Sequence, residues 1–574
     1  MNSKCCNSEV TVYLQAYFVT IATILGTGIL GLPVTLVNSG LYPFLITFIL
    51  DAVVQSLLVH FFVDLLQRAV AAQHVEQREE SVPLNTMLEE DIDLESDDGD
   101  ELTNVQFTGA IMKGKMQHIR EVPLVQPPNL HLLGKLFLGC GLQQVFDMLI
   151  ILQFIALLVC YALAGSEAFA QLIGIDHFYV IPVFVWVLTT AIVFALSLIQ
   201  PVVSVLTFVK GSLLLGTAMV TFYVGLTVAE EISNDFSYIG APFLMGTVAL
   251  GGVCNTMPYT FEKVPFKKNS ISKYRLAVQL GLWTCVLLNI LWCWAVLDIV
   301  PQTIAMACSN EAGLSLRRYD NDSGKMFSGL QTCYGKLSLE SAEANGEIST
   351  LPLTKLLQRD HPSFTWVAIL VEVFIMVSIT VSYLTIGTAL HHTLKGIVQS
   401  FLAKRRGSST GKGKSSKTSA AHWFAITGVS LGAFTIVFAI AMVDPEGFVD
   451  ILEKLVSFTL NLEVGLFFFL MFIWSKRNSY VHLEVPLPMS QCLYYLIYLL
   501  PVFFNFAVIY DVYNTVMDIA YPQQHQKIVF NVSSSTTVGS VPDNAFTLNT
   551  TVSTTTTTPL ADNVGATNSS LNML

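Results

Sequence analysis

The chain has 574 residues, 53% hydrophobic and only 13% charged, with mean hydropathy +0.58 and a formal net charge of −12. Soluble globular chains carry about a quarter charged residues, so this composition excludes a soluble enzyme, a nucleic-acid binder and a disordered scaffold. The charge is local: Glu76–Glu101 holds twelve Asp or Glu and one basic residue, Arg78, leaving −11 there and −1 elsewhere.

About 20 apolar residues cross a bilayer as a helix, and eleven runs are long enough. In chain order they are Val10–Val37, Leu41–Val70, Phe146–Ile173, Val180–Ile199, Val202–Val228 and Ala241–Phe261. Leu276–Val300, Phe364–His391, Trp423–Val443, Phe448–Trp474 and Cys492–Val516 follow. The residues ahead of the first run lack a basic region and a cleavage site, so that run is expected to stay as a span. The expected architecture is an all-α polytopic membrane protein with eleven transmembrane helices.

An odd number of spans puts the termini on opposite sides. With the N-terminus cytoplasmic, the 30 Lys and Arg divide into 20 inside, 7 outside and 3 within spans, Arg68, Lys210 and Lys454. The positive-inside rule favours that orientation. The four Asn-X-Ser/Thr sequons, at Asn321, Asn531, Asn549 and Asn568, all fall outside, where glycosylation is expected.

The segments order accordingly. Residues 1–72 hold spans 1 and 2, and 73–131 form an acidic cytoplasmic loop expected to be disordered, with a candidate cytoplasmic partner. Residues 132–300 hold spans 3–7, and His131–Val145 carries an apolar stripe suited to the membrane surface. Residues 301–362 form an external loop whose Cys308 and Cys333, the two cysteines on the oxidising side, are expected to pair. Residues 363–516 hold spans 8–11, with a basic Gly/Ser-rich tether at Lys404–Lys417. The Thr/Ser-rich tail, 517–574, reads as an external glycosylated stalk.

Runs 1 and 6 differ from the others. Run 1 contains Gly26-Thr27-Gly28-Ile29-Leu30-Gly31-Leu32-Pro33, and run 6 contains Gly251-Gly252-Val253-Cys254-Asn255-Thr256-Met257-Pro258. Gly and Pro weaken a helix, and the backbone groups they free cannot face lipid. Packing between membrane helices is the bland explanation. Five spans separate the two segments, so spans 1–5 and 6–10 read as inverted repeats. Broken helices at matched positions of such repeats point to a transporter's binding site.

These residues resemble the amino acid/auxin permease family, within the APC superfamily, and in particular its proton-coupled amino acid transporters. The segment GTGILGLP followed by Asn38-Ser39-Gly40 is similar to that family's span 1; Gly252, Pro258 and Glu262, then Lys263, Lys267 and Lys268, fit its span 6. Where the family has a His, this chain has Val253, so that residue's role does not carry over. The resemblance extends over spans 1–8 with declining strength and implies a LeuT-type 5+5 inverted repeat plus one extra helix, with helices 1 and 6 broken. It implies substrate contacts at Thr23, Gly26, Thr27, Gly28, Ile29, Leu30, Gly252, Val253, Cys254 and Asn255, with the α-carboxylate near Thr27–Leu30. Tyr161 of span 3 would close over the substrate or serve packing alone.

Lys210 in span 5 is similar to the lysine that replaces a sodium ion in proton-coupled relatives, and Ser382 would stand beside it. An ammonium among span 1 carbonyls can substitute for a cation and release a proton during a cycle. The alternative is that Lys210 snorkels to the headgroups. Asp51, Glu372 and Glu463 lie mid-span, where an unpaired carboxylate is costly. Each is a proton-relay candidate, a protonated acid or part of an ion pair.

The expected function is secondary active transport of amino acids or similar small zwitterions by alternating access, with protons preferred over sodium. The rival is a non-transporting amino acid sensor that keeps the fold. An enzyme is not expected, because no Ser/His/Asp, Cys/His or metal spacing falls at one depth. No cofactor, metal or nucleic-acid partner is expected. The partners are substrate, protons and the lipid bilayer of a plasma, lysosomal or endosomal membrane.

Overall fold

A computed structural model describes residues 2–93, 128–228, 232–303, 306–308, 333–335, 337–344, 348–360, 362–407, 415–443, 451–476, 483 and 485–520. The chain divides into two units. The first comprises Met1–Ile304 and Leu337–Gln524, and the second Ala305–Lys336 and His525–Leu574.

The first unit is helical. Its elements open with α1 (Asn2–Gly31), a 3-10 turn at Val34–Leu36 and α2 (Leu41–Asp93). There follow α3 (Leu130–Phe137), α4 (Cys140–Ile173), α5 (His177–Phe194), α6 (Leu196–Val228), α7 (Gly240–Gly251), α8 (Val253–Phe261) and α9 (Lys268–Ile299). After α10 (Leu339–Ala344) and α11 (Thr350–Asp360) come α12 (Thr365–Gly407) and α13 (Ser415–Val443). The next helix opens with a π segment at Ile451–Val456. It continues through α14 (Ser457–Leu462), a second π segment at Glu463–Phe468, and α15 (Phe469–Trp474). Last are α16 (Gln491–Leu496) and α17 (Leu499–Ala520).

Among the described residues nine helices are long and apolar enough to cross a membrane. The two expected spans outside that set are the interrupted ones, α1 and the α7–α8 pair. Large apolar side chains such as Met148, Tyr179, Phe208, Tyr223, Val502 and Ile509 are exposed on the surface, a solvation that suits lipid rather than water. Burial separates centre from edge: 83% of the apolar window of α4 is buried inside the protein, against 22% in the last span. Helix α1 packs against α6, α7, α8, α9 and α12, and α4 against α5, α12 and α13.

Several expectations are corrected. The first run is interrupted at Leu32-Pro33, not at its glycines: α1 stays helical to Gly31, and Leu32 N–H still bonds Gly28 O at 3.1 Å. Pro33 then opens the 3-10 turn, because proline lacks the N–H that would continue the helix. The fourth and fifth spans part at Ala195, earlier than the Gln200-Pro201 pair suggests. Helix α2 runs to Asp93, past the expected loop boundary, since Gln73–Asp93 is rich in the helix formers Glu, Gln, Leu and Met. Its continuation, 94–127, lies outside the described residues. Helix α3 does not lie on the surface. Asn129 caps it by accepting from Leu132 N–H, and Leu130, His131, Leu132, Leu133, Gly134 and Phe137 are all buried.

In the second unit the described residues form one antiparallel strand pair, β1 (Met306–Cys308) and β2 (Cys333–Gly335), with Cys308 directly opposite Cys333. The four sequons lie outside the described residues, as does most of the Thr/Ser-rich tail.

Candidate functional site

The most polar contact between the central helices is built on Lys210. The residue is fully buried on α6, where that helix meets α1, α9 and α12. Its Nζ donates to Ala22 O at 2.9 Å, Ser378 O at 3.2 Å and the Ser382 hydroxyl at 2.8 Å. Ser382 in turn donates to Ala22 O at 3.2 Å. An ammonium has three donors, and each has an acceptor on α1 or α12. Snorkelling is therefore excluded: the amine points into the protein.

Small residues let this contact form. A Cβ on Gly26 would fall 2.5 Å from the Tyr161 hydroxyl and 2.6 Å from the Ser382 hydroxyl, so only glycine allows α1, α4 and α12 to meet at that level. Gly28 faces the other way, toward Ala249 of α7 and the amide of Asn289 on α9. The Asn289 amide donates to Cys285 O at 3.0 Å, while its Oδ1 is buried without a partner. The side chains of Thr27, Ile29 and Leu30 lie outside the described residues, and their backbone is part of the α1 helix.

Gly252 separates α7 from α8. The Gly252 N–H has no backbone acceptor, and Asn255 N–H bonds Gly252 O at 3.2 Å at the start of α8. Downstream, Pro258 cannot donate to the Cys254 carbonyl. The break is internal. Thr23 of α1 stands against it, its methyl 3.2 Å from where a Gly252 Cβ would be, and its hydroxyl 3.4 Å from that of Thr256. Val253 and Cys254 are buried, and both amide atoms of Asn255 are buried without partners.

The mid-span carboxylates separate into kinds. Glu372 accepts from Gln358 of α11 at 3.2 Å. Asp51 is buried with neither oxygen partnered and lies against Gly246 of α7. Glu463 opens the second π segment, is buried, and has one oxygen unpartnered; Gln153 of α4 and Cys254 of α8 stand beside it. Further along α2, Asp64 pairs with Arg68 at 2.9 Å. His60 contacts Ser56 O at 2.8 Å and Gln279 at 3.0 Å.

One arrangement departs from the sequence reading. His131 Nδ1 lies 2.9 Å from Asp147, and its Nε2 lies 2.9 Å from the Ser400 hydroxyl, so a Ser/His/Asp chain does assemble. It does not make a hydrolase. Ser400 sits inside α12, where backbone N–H groups are committed to the helix and leave no oxyanion donors. The chain ties α3 to α4 and α12.

The structure thus brings together Thr23, Gly252 and Thr256 in one place, and Gly26, Tyr161, Ser382 and Lys210 in another, on adjacent turns of α1. Sequence reasoning missed Ala22 and Ser378, which contribute carbonyls that no side-chain pattern displays. It also missed Gln153 and Asn289, ordinary amides whose neighbours only the fold reveals. Among the described residues no group of three or more His, Cys, Asp or Glu is arranged to hold a metal.

No protein-family model matches the chain, and no curated protein matches it. Solved structures of similar shape include the Eremococcus coleocola manganese transporter in complex with an aromatic bis-isothiourea substituted compound. That structure has a TM-score of 0.48 and 10% identity, over 92% of this chain and 90% of that one. A mutant of the same transporter gives 0.46 and 9%, over 89% of each chain.

Proposed function

We propose that the chain is a secondary active transporter of amino acids or similar small zwitterions, working by alternating access and driven by protons. The observation that carries this reading is the internal break at Gly252. The Gly252 N–H, without a backbone acceptor where α7 gives way to the start of α8, suits a carboxylate. The C-terminal carbonyls of α7 suit an ammonium. Helix α1 uses its N–H groups at Thr27–Leu30 within its own ladder, so the substrate carboxylate is assigned to Gly252–Cys254 instead. Thr23, Gly26, Gly28, Tyr161 and Asn255 complete the pocket wall, and Val253 and Cys254 favour a small or apolar side chain. Kinship with the amino acid/auxin permease family, read from Gly26–Pro33 and from Gly252, Pro258 and Glu262, supports the same function.

Lys210 supports protons over sodium. Its ammonium takes the carbonyls of α1 and α12 that a bound cation would need, and Ser382 anchors it. The Cys308–Cys333 disulfide is supported by the register: opposed Cα atoms of an antiparallel pair are about 4.5–5.5 Å apart, within the range a disulfide spans. The positive-inside distribution supports a cytoplasmic N-terminus. The rival, a non-transporting sensor, draws support from the helical extension of α2, whose stretch from Glu76 to Asp93 carries seven acidic residues suited to a cytoplasmic partner.

The test is uptake and counterflow of labelled amino acids in proteoliposomes, across pH and sodium, for the wild type and Lys210→Ala. Proton-driven accumulation that the variant loses is the expected result. Sodium-dependent uptake indifferent to pH would overturn proton coupling, and binding without exchange would establish the sensor.

A further inference from the structure

Glu463 has a position that neither the Lys210 contact nor the substrate pocket uses. It lies midway along the helix running from Ile451 to Trp474, buried, at the first residue of a π segment. π segments often mark functional positions in helices. This helix is packed directly on the break. The Leu460 side chain occupies the space a Gly251 Cβ would need, and Asn461 donates to the Thr247 hydroxyl at 3.0 Å. Cys254, in the first turn of α8, lies within electrostatic range of the Glu463 carboxyl.

Its surroundings supply no counter-charge. Gln153 of α4 is its polar neighbour, and no ion pair involves Glu463 among the described residues. Of the titratable groups on the helices packed around it, Asp51 of α2 is likewise buried without a partner, against Gly246 of α7, while three others are engaged elsewhere. Asp147 holds His131, Tyr161 bonds Ser382, and Asp511 of α17 bonds Ser457 in the field of Lys454. A carboxylate this deep and unpaired is costly to keep charged.

We propose that Glu463 couples the proton to substrate binding, its carboxyl having to be neutral before a substrate carboxylate can occupy the break at Gly252–Cys254. The reasoning is like-charge exclusion. Two carboxylates beside one half-helix N-terminus repel each other in a medium of low dielectric constant. A proton on Glu463 removes the repulsion, so proton and substrate bind together. When the substrate leaves and water reaches the π segment, the acid ionises and gives the proton to that side. Lys210 then has a fixed role, and Glu463 is the group that exchanges.

This inference rests on the transport reading above, and the experiment separates the two. Substrate KM is measured against pH in proteoliposomes for the wild type, Glu463→Gln and Glu463→Asp. In parallel, infrared difference spectra of the purified proteins follow protonated carboxyl groups. Above the titration point, wild-type KM rises about tenfold per pH unit, as one linked proton requires. Glu463→Gln exchanges substrate with a flat profile and no proton flux, and Glu463→Asp restores the slope. Loss of one protonated-carboxyl band in Glu463→Gln accompanies this. A Gln variant that keeps the wild-type slope and proton flux overturns the proposal, as does an unchanged infrared spectrum. If the wild type takes up no amino acid yet the carboxyl band is lost in Glu463→Gln, the transport reading falls and the buried proton site stands.

Discussion

Among the ionisable side chains deep between the helices, Lys210 and Glu463 are treated in opposite ways. Lys210 has every N–H donated, to Ala22 O, Ser378 O and Ser382 Oγ. Glu463 has an amide neighbour, a thiol in range and, among the described residues, no ion pair. The first arrangement fits a charge that is permanently held. The second fits a charge that is absent in this conformation and appears only in another. A buried group with complete partners acts as structure, whereas one with incomplete partners is free to change its protonation.

The contrast can be broken most severely at the lysine. Lys210→Ala removes three hydrogen bonds from a charged donor, to Ala22 O, Ser378 O and Ser382 Oγ, each worth about 1.5–3 kcal/mol. Uptake is expected to fall by roughly a hundredfold or more and the melting temperature in detergent to drop. A stable, active Lys210→Ala protein would show that the contact is dispensable. Gly26→Ala comes next. Its methyl would meet Tyr161 and Ser382, and overpacking of this kind costs about 1–3 kcal/mol. Gly428→Ala on α13, where a Cβ meets nothing within 4 Å, is the control expected to behave as the wild type.

Ser382→Ala removes one acceptor of the ammonium while leaving both carbonyls. About 1–2 kcal/mol, or roughly five- to thirtyfold in uptake, is the expected loss. The smallest effect is on stability at Glu463. Because the acid has no ion pair to lose, Glu463→Gln should leave the unfolding free energy within about 1 kcal/mol of the wild type. Differential scanning fluorimetry of the four variants orders them. A Glu463→Gln protein destabilised as strongly as Lys210→Ala would erase the distinction.

Much of the scaffold was legible in the sequence because hydrocarbon imposes length and apolarity on any span. The special character of runs 1 and 6 was legible too, through glycine and proline. The location of the first interruption was not. Glycine permits a helix to break without requiring it, and α1 is packed on several sides, which keeps Gly26–Gly31 helical; the obligate stop is Pro33. Ser382 could be placed beside Lys210 from the family resemblance, but Ala22 and Ser378 act through their backbones and carry no side-chain signature. The acidic stretch illustrates the opposite failure. Charge density suggested disorder, yet helix propensity carries α2 on to Asp93.

The bond from His131 to both Asp147 and Ser400 has a mechanical consequence. It fastens the starting end of α4 to the late turns of α12 through a rigid imidazole only one ring wide. Those two helix ends form a single lever arm, unable to slide past each other while both bonds last. Sliding α4 past α12 at this level therefore breaks at least one of the two bonds.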